Sequence, residues 1–325
     1  MTSKRIYVAR LLTERAMDTL RGSDWDLDVG DEAPPSRDQL LSKVRGTDAA
    51  VVTLTERIDA QFFDAAGPCL KVVANVAVGY DNIDVEEADR RGVTVTNTPG
   101  VLDDATADHT FALILDLARR VTEADRFVRS QTPWVWGPRM LVGLDISGGA
   151  RLGIVGLGRI GRAVARRAKA FSMDVVAYDP HGVPGDFQDD VSMLPLHEVL
   201  ATSDVVSLHV PLLPSTHHLM NAETLAKMKP DAYLVNVARG GVVDESALIQ
   251  ALRTGALRGA AIDTFEGEPQ VNPELLGLDN VVLTPHIASA GDRTRDRMCL
   301  LALENVERVL SGQAPVTPVA PRVLA

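Results

Sequence analysis

The chain has 325 residues, with 33 Lys and Arg against 44 Asp and Glu, a formal net charge of −11. That balance opposes binding to nucleic acid or to an anionic membrane surface, because both need a concentrated basic footprint. A hydrophobic fraction of 46% with 24% charged residues reads as globular, and the length favours two domains with a large core. The two cysteines, Cys69 and Cys299, form no CxxC pair. A disulfide framework or a Cys-rich zinc site is therefore not expected, and no metal ligand is assigned. The N-terminal MTSKRIYVARLL lacks the pattern of a secretory signal, and apolar runs such as VVANVAV and FALILDLA are too short for a bilayer span. A soluble cytoplasmic protein is expected.

Ile6–Ala9 reads as a strand, followed by an amphipathic helix over Thr13–Leu20. Ala49–Leu54 and Leu70–Val76 are continuous apolar, β-branched runs of the kind found in parallel strands covered on both faces. Val93–Thr96 is a shorter strand candidate, and Thr98-Pro99-Gly100 ends the pattern. One helix is expected over Asp104–Ser130, about 40 Å long at 1.5 Å per residue. The segment Gln131–Ile146 carries Trp134 and Trp136 between Pro133 and Pro138, an irregular loop that must bury its rings somewhere. Strand candidates then recur at Leu152–Val155, Asp174–Tyr178, Val205–Val210, Ala232–Val237, Ala260–Ile262 and Val281–Thr284. Helical stretches separate most of them, notably Ile160–Phe171 and Glu245–Arg253, and a last helix covers Asp292–Leu310. Repeated β–α alternation predicts an α/β fold with doubly wound parallel sheets.

Gly156-Leu157-Gly158-Arg159-Ile160-Gly161 is a Gly-x-Gly-x-x-Gly run that follows a strand and opens a helix. Gly156 permits a tight turn, Gly158 lets the backbone approach a pyrophosphate, and Gly161 allows close helix–sheet packing. Asp179 ends the next strand, 18 residues after Gly161, where a carboxylate can accept from ribose hydroxyls and repel a 2′-phosphate. No Lys or Arg occurs from Pro180 to Ala226, and His181 is the nearest weak base. The cofactor expected is NAD, with NADH preferred over NADPH.

Several segments together resemble the D-isomer-specific 2-hydroxyacid dehydrogenases: NVAVGYDNIDV, GVTVTNTPGVLDDATADHTFALIL, GIVGLGRIGRAVARRAKAF, LHVPLLPSTHHLM, VNVARGGVVDESAL, AIDTFEGEP and LTPHIAS. The resemblance runs from about Ala49 to Pro315. WVWGPRMLVGLDI and HIASAGDRTRDRM are most similar to the glyoxylate/hydroxypyruvate reductase branch. It implies two Rossmann-like domains with an interdomain active-site cleft. Residues 1–99 with 288–325 would form a discontinuous substrate-binding domain, and 100–287 the NAD-binding domain.

Reduction of a carbonyl by a nicotinamide needs a grip on the substrate carboxylate, polarisation of the carbonyl and a proton source. Arg239, Glu268 and His286 match the family's catalytic positions. Arg239 offers a planar fork for a carboxylate, and His286 is of the residue type suited to give or take the proton. Glu268 favours the protonated imidazole and fixes its orientation, with Glu266 as a nearby rival. The resemblance further implies that Arg159, Ile160, Val237 and Asp263 contact the cofactor, and that Leu54, Val78 and Gly79 contact the substrate. It also implies a homodimer, with Trp136 near the interface and reaching toward the partner's site. Thr53 and Asn75 stand where phosphoglycerate dehydrogenases commonly carry arginines, which counts against a phosphorylated substrate. Thr264 replaces a common valine. The reaction implied is hydride transfer between NAD(H) and a small 2-oxo acid/D-2-hydroxy acid pair such as glyoxylate or hydroxypyruvate. A D-lactate-type or bulkier-substrate enzyme, and an NAD(H)-sensing corepressor-like protein, are the alternatives.

Overall fold

The structure, a computed structural model, describes residues 3–182 and 191–321. The chain divides into two compact units, one formed by the described residues up to Leu102 and from Ala290, the other by Asp103–Ser289.

The first unit holds five parallel strands: β1 (Arg5–Val8), β2 (Asp26–Val29), β3 (Ala49–Val52), β4 (Val72–Asn75) and β5 (Thr94–Thr96), in the order β2-β1-β3-β4-β5. Every residue of β3 and β4 is buried, as their unbroken apolar runs require. The helix Asp292–Leu310 returns to this unit and packs on β3, β4 and β5 with Met298, Cys299, Ala302, Leu303 and Val306 buried. Winding reverses between β1 and β3, and ligands of open α/β sheets gather at the carboxyl ends of strands flanking such a reversal. Leu54 follows β3, and Val78 and Gly79 follow β4, at that end of the sheet.

The second unit holds seven parallel strands: β6 (Arg151–Val155), β7 (Asp174–Tyr178), β8 (Ser192–Met193), β9 (Val205–Leu208), β10 (Tyr233–Asn236), β11 (Gly259–Ile262) and β12 (Val281–Leu283). Their order is β12-β11-β10-β9-β6-β7-β8, with the reversal between β6 and β9. Two apolar layers, one on each face, sandwich this sheet.

One expectation fails in this unit. The single helix over Asp104–Ser130 is two helices, Asp103–Arg119 and Val121–Arg129, broken at Arg120, whose φ is +54°. The Ala118 carbonyl, which a continuous helix would pair with the N–H of Thr122, instead accepts from Leu144 N–H at 2.8 Å. The Thr122 N–H donates to Asp116 Oδ1 at 2.7 Å, so both freed backbone groups have partners. Within the single chain the rings of the aromatic loop are uncovered, Trp134 being 55% and Trp136 76% exposed. No helix among the described residues is long and apolar enough to cross a membrane.

Candidate active site

The glycine-rich turn joins β6 to the helix Arg159–Ala170. Gly156 has a φ of +96°, and a Cβ there would meet the His209 backbone at 2.8 Å. A Cβ on Gly161 would meet the Gly156 carbonyl oxygen at 2.2 Å, so helix and turn approach more closely than any side chain permits. Gly158 differs from both, since a Cβ on it would meet nothing within 4 Å. Packing of the chain therefore does not require glycine at 158, whereas close approach of a bound anion does. No side chain caps this end of the helix, which leaves first-turn N–H groups for a phosphate. Asp179, at the end of β7, accepts from Leu157 N–H through Oδ2 at 2.8 Å and from His181 N–H through Oδ1 at 2.9 Å. The acid is thus fastened to the turn it is expected to serve. Arg159 is exposed, and Ile160 packs partly into the core. These residues fit a dinucleotide: an open backbone cradle, an uncapped helix end and a carboxylate beside them.

The second cluster lies at the carboxyl ends of β10, β11 and β12. Arg239 follows β10, and its loop is set by buried Asn236, whose Nδ2 donates to the Arg239 carbonyl at 2.9 Å and whose Oδ1 accepts from Ala238 N–H at 3.0 Å. Val237, on the same loop, is buried. A Cβ on Gly240 would lie 1.9 Å from the Phe265 carbonyl carbon, so the Arg239 loop and the Phe265–Glu268 loop are in backbone contact. Glu268 accepts from Phe265 N–H through Oε1 at 2.8 Å and bonds His286 Nδ1 through Oε2 at 2.8 Å. Both side chains are about a quarter exposed, 27% and 22%. With Nδ1 turned to the carboxylate, Nε2 is the nitrogen left for chemistry.

His286 has a φ of +53°, a costly backbone for a side-chain-bearing residue. Its N–H donates to the Asp263 carbonyl at 2.8 Å. The Asp263 carboxylate, fully buried, accepts from Ile287 N–H, Ala288 N–H and Thr284 Oγ1 at 2.9, 3.0 and 2.6 Å. His109 Nε2 stands 3.4 Å away. Burial alone would raise this acid, but the bonds from His109, Thr284 and the two backbone N–H groups outweigh it and hold the carboxyl below its ordinary value. Asp263 therefore braces the loop that presents His286. Glu266, the nearby rival, is instead paired with His218 Nε2, 2.6 Å distant.

Sequence reasoning missed several of these supports. Glu245, nearly buried, accepts from Glu266 N–H at 2.8 Å and fastens the Glu268 loop from beneath. Burial and the neighbouring charges of Glu266 and Glu268 push the Glu245 carboxyl upward, although the Glu266 N–H opposes them. In the first unit, Asn75 Nδ2 donates to the Gly79 carbonyl and Asn97 Nδ2 to the Val78 carbonyl, each at 2.8 Å. Asparagines at the carboxyl ends of strands, at 75, 97 and 236, were the available signal. Leu54 is half-buried, and its loop is organised by buried Glu56, which accepts from Thr53 N–H at 2.6 Å.

Comparison with known proteins adds a further line. Residues 111–288 match the model of the D-isomer specific 2-hydroxyacid dehydrogenase NAD binding domain. A glyoxylate reductase of Korarchaeum cryptofilum is 49% identical over 318 residues, covering 96% of this chain and 94% of that one. Among solved structures, a Thermus thermophilus protein superposes with a TM-score of 0.91 at 45% identity, covering 97% of this chain and all of that one. An NADPH-dependent glyoxylate/hydroxypyruvate reductase of Sinorhizobium meliloti superposes with a TM-score of 0.84 at 32% identity, covering 98% and 97%.

Proposed function

The chain belongs to the D-isomer-specific 2-hydroxyacid dehydrogenase family, and we propose that it reduces glyoxylate and similarly small 2-oxo acids with NADH. The observation that carries this reading is the Glu268–His286 bond at 2.8 Å on a loop in backbone contact with that of Arg239. When bound, the dinucleotide supplies the hydride. Gly156, Gly158, Gly161 and the helix N-terminus would hold its pyrophosphate, and Asp179 its ribose hydroxyls.

The Arg239 guanidinium takes the substrate carboxylate and polarises the adjacent carbonyl. The family resemblance assigns the backbone N–H groups of Val78 and Gly79 to the substrate carboxylate as well, and Leu54 to the side chain accepted. His286 donates the proton from Nε2 to the carbonyl oxygen as the carbon receives hydride, so the C=O becomes CH–OH and the imidazole is left neutral. Glu268 holds Nδ1–H, which keeps Nε2 facing the substrate and stabilises the cation before transfer. Reversed, the neutral ring takes the hydroxyl proton.

NADH is preferred because Asp179 presents negative charge to a 2′-phosphate and no Lys or Arg follows it until Lys227. The protein acts as a homodimer through the apolar surface of residues 121–142. Two free cysteines fit a reducing cytoplasm.

The test is loss of NADH or NADPH absorbance with a panel of 2-oxo acids, on wild type and His286→Ala. We expect turnover of glyoxylate with NADH and a fall in kcat of roughly 10²–10⁴-fold in the variant, the scale of general acid loss. Tight NADH binding with no turnover of any 2-oxo acid would replace the enzyme by a dinucleotide sensor.

A further inference from the structure

We propose that His217, His218 and Glu266 form an inhibitory site for a divalent cation of the zinc class, beside the catalytic loops and separate from the substrate and cofactor contacts. One ligand-type atom from each residue lies within 4.8 Å of the other two. Consecutive side chains ordinarily diverge along a chain. Here His218 has a φ of +49°, and the two imidazoles stack with centroids 3.9 Å apart and planes 26° apart.

All three residues are fixed through their backbones. His217 N–H donates to Leu213 O and His218 N–H to Gly241 O, both at 2.8 Å, while Glu266 N–H donates to Glu245 Oε1 at 2.8 Å. Among the described residues the His217 ring nitrogens have no hydrogen-bond partner. The exposed ring can swing from its stack to complete a three-ligand set. Two imidazoles and one carboxylate, with a fourth position open to water, select Zn²⁺ and its neighbours over Mg²⁺ or Ca²⁺.

The inhibition follows from distance. His218 Nε2 and Glu266 Oε1 are 2.6 Å apart. A cation about 2.1 Å from each at a tetrahedral angle holds them roughly 3.4 Å apart. His218 and Glu266 must therefore separate by several tenths of an ångström, which pulls on the loop of Glu266. Glu266 lies two residues from Glu268 on a loop whose placement sets the His286 contact. Displacements approaching 1 Å at a reacting centre cost as much as about 10²-fold in rate.

The experiment is Zn²⁺ titration of the tag-free, chelator-treated full chain by calorimetry, read alongside kcat for 2-oxo acid reduction at saturating NADH. The binding readout does not depend on the proposed reaction, so the two readings fail separately. We expect one equivalent of Zn²⁺ to bind and kcat to fall several-fold. His217→Ala and Glu266→Gln should each weaken binding about tenfold or more, with His217→Ala keeping the metal-free rate. Cys69→Ser and His286→Ala should bind as wild type does. Absence of stoichiometric binding, binding that survives His217→Ala, or binding without a change in kcat would each overturn the proposal.

Discussion

The glycines of the fingerprint separate folding from binding, because two are held by the chain and one is not. Gly158→Ala adds a methyl group to open space at an extended backbone position, so the melting temperature without cofactor should not move. Calorimetry should nonetheless show NADH affinity reduced by about tenfold, or 1.4 kcal/mol, because the methyl group holds the pyrophosphate away. Unchanged NADH affinity would remove the turn from the cofactor site. Gly161→Ala should instead unfold the second unit, since the new Cβ stands 2.2 Å from a carbonyl oxygen. Asp263 supplies the pH test. Its folded-state pKa is depressed below 3.8, so its contribution to stability is complete above the ordinary carboxylate range and is lost as pH falls through the depressed value. Asp263→Asn cannot accept from two backbone N–H groups and Thr284 together, and should lose about 2 kcal/mol or more near neutrality. Denaturant titrations at a series of pH values should then show a weaker loss of stability below pH 3.8 in the variant than in wild type. An equally steep acid limb in both would place the charge dependence elsewhere, Asp204 being a second depressed carboxyl.

Elements buried on both faces were legible because one physical requirement fixes them. Ala49–Val52 and Val205–Leu208 are apolar, β-branched or small at nearly every position, and all eight residues are buried. The terminal helix Asp292–Leu310 was bounded by its sequence pattern at both ends. By contrast, β2 reads Asp-Leu-Asp-Val at a sheet edge with no residue fully buried, so its pattern carries only two apolar positions. The break at Arg120 was invisible for another reason. The Leu144 N–H that takes the Ala118 carbonyl lies 26 residues away, and local periodicity carries no trace of it. Gly143 is the residue that admits this contact, because a Cβ there would fall 1.8 Å from the Ala118 oxygen. Gly143→Ala should lower stability by about 1–3 kcal/mol through that overlap, seen as a reduced melting temperature. The candidate site divides the same way. Arg239, Glu268 and His286 were singled out through the family motifs, whereas Glu245 and Asn236 act through partners found only when loops are brought together.

At the scale of the whole molecule, the distribution of exposed apolar side chains is uneven. Of the ten large hydrophobic residues left exposed among the described residues, six fall between 121 and 142: Val121, Val128, Trp134, Val135, Trp136 and Val142. The helix Val121–Arg129 is amphipathic yet buries none of its residues within the chain. An apolar stripe on a helix forms to be covered, and Val135 at 91% exposure is among the least covered of all. The scattered apolar residues of an ordinary monomer surface need no partner, but a cluster within 22 consecutive residues does. A second copy of the chain is the partner we propose, because a two-fold interface lets one segment cover its own counterpart. Light scattering should give twice the chain mass at micromolar concentration. Val128→Glu with Val135→Glu should convert the protein to monomers while leaving NADH binding intact, since the fingerprint lies elsewhere in the sequence. A monomeric wild type would refute the dimer. A dimer that survives both charges would move the interface away from this helix and loop. If Trp136 also reaches the partner's site, the monomeric variant should show a raised KM for the 2-oxo acid with unchanged NADH affinity. An unchanged KM would limit the loop to holding the two copies together.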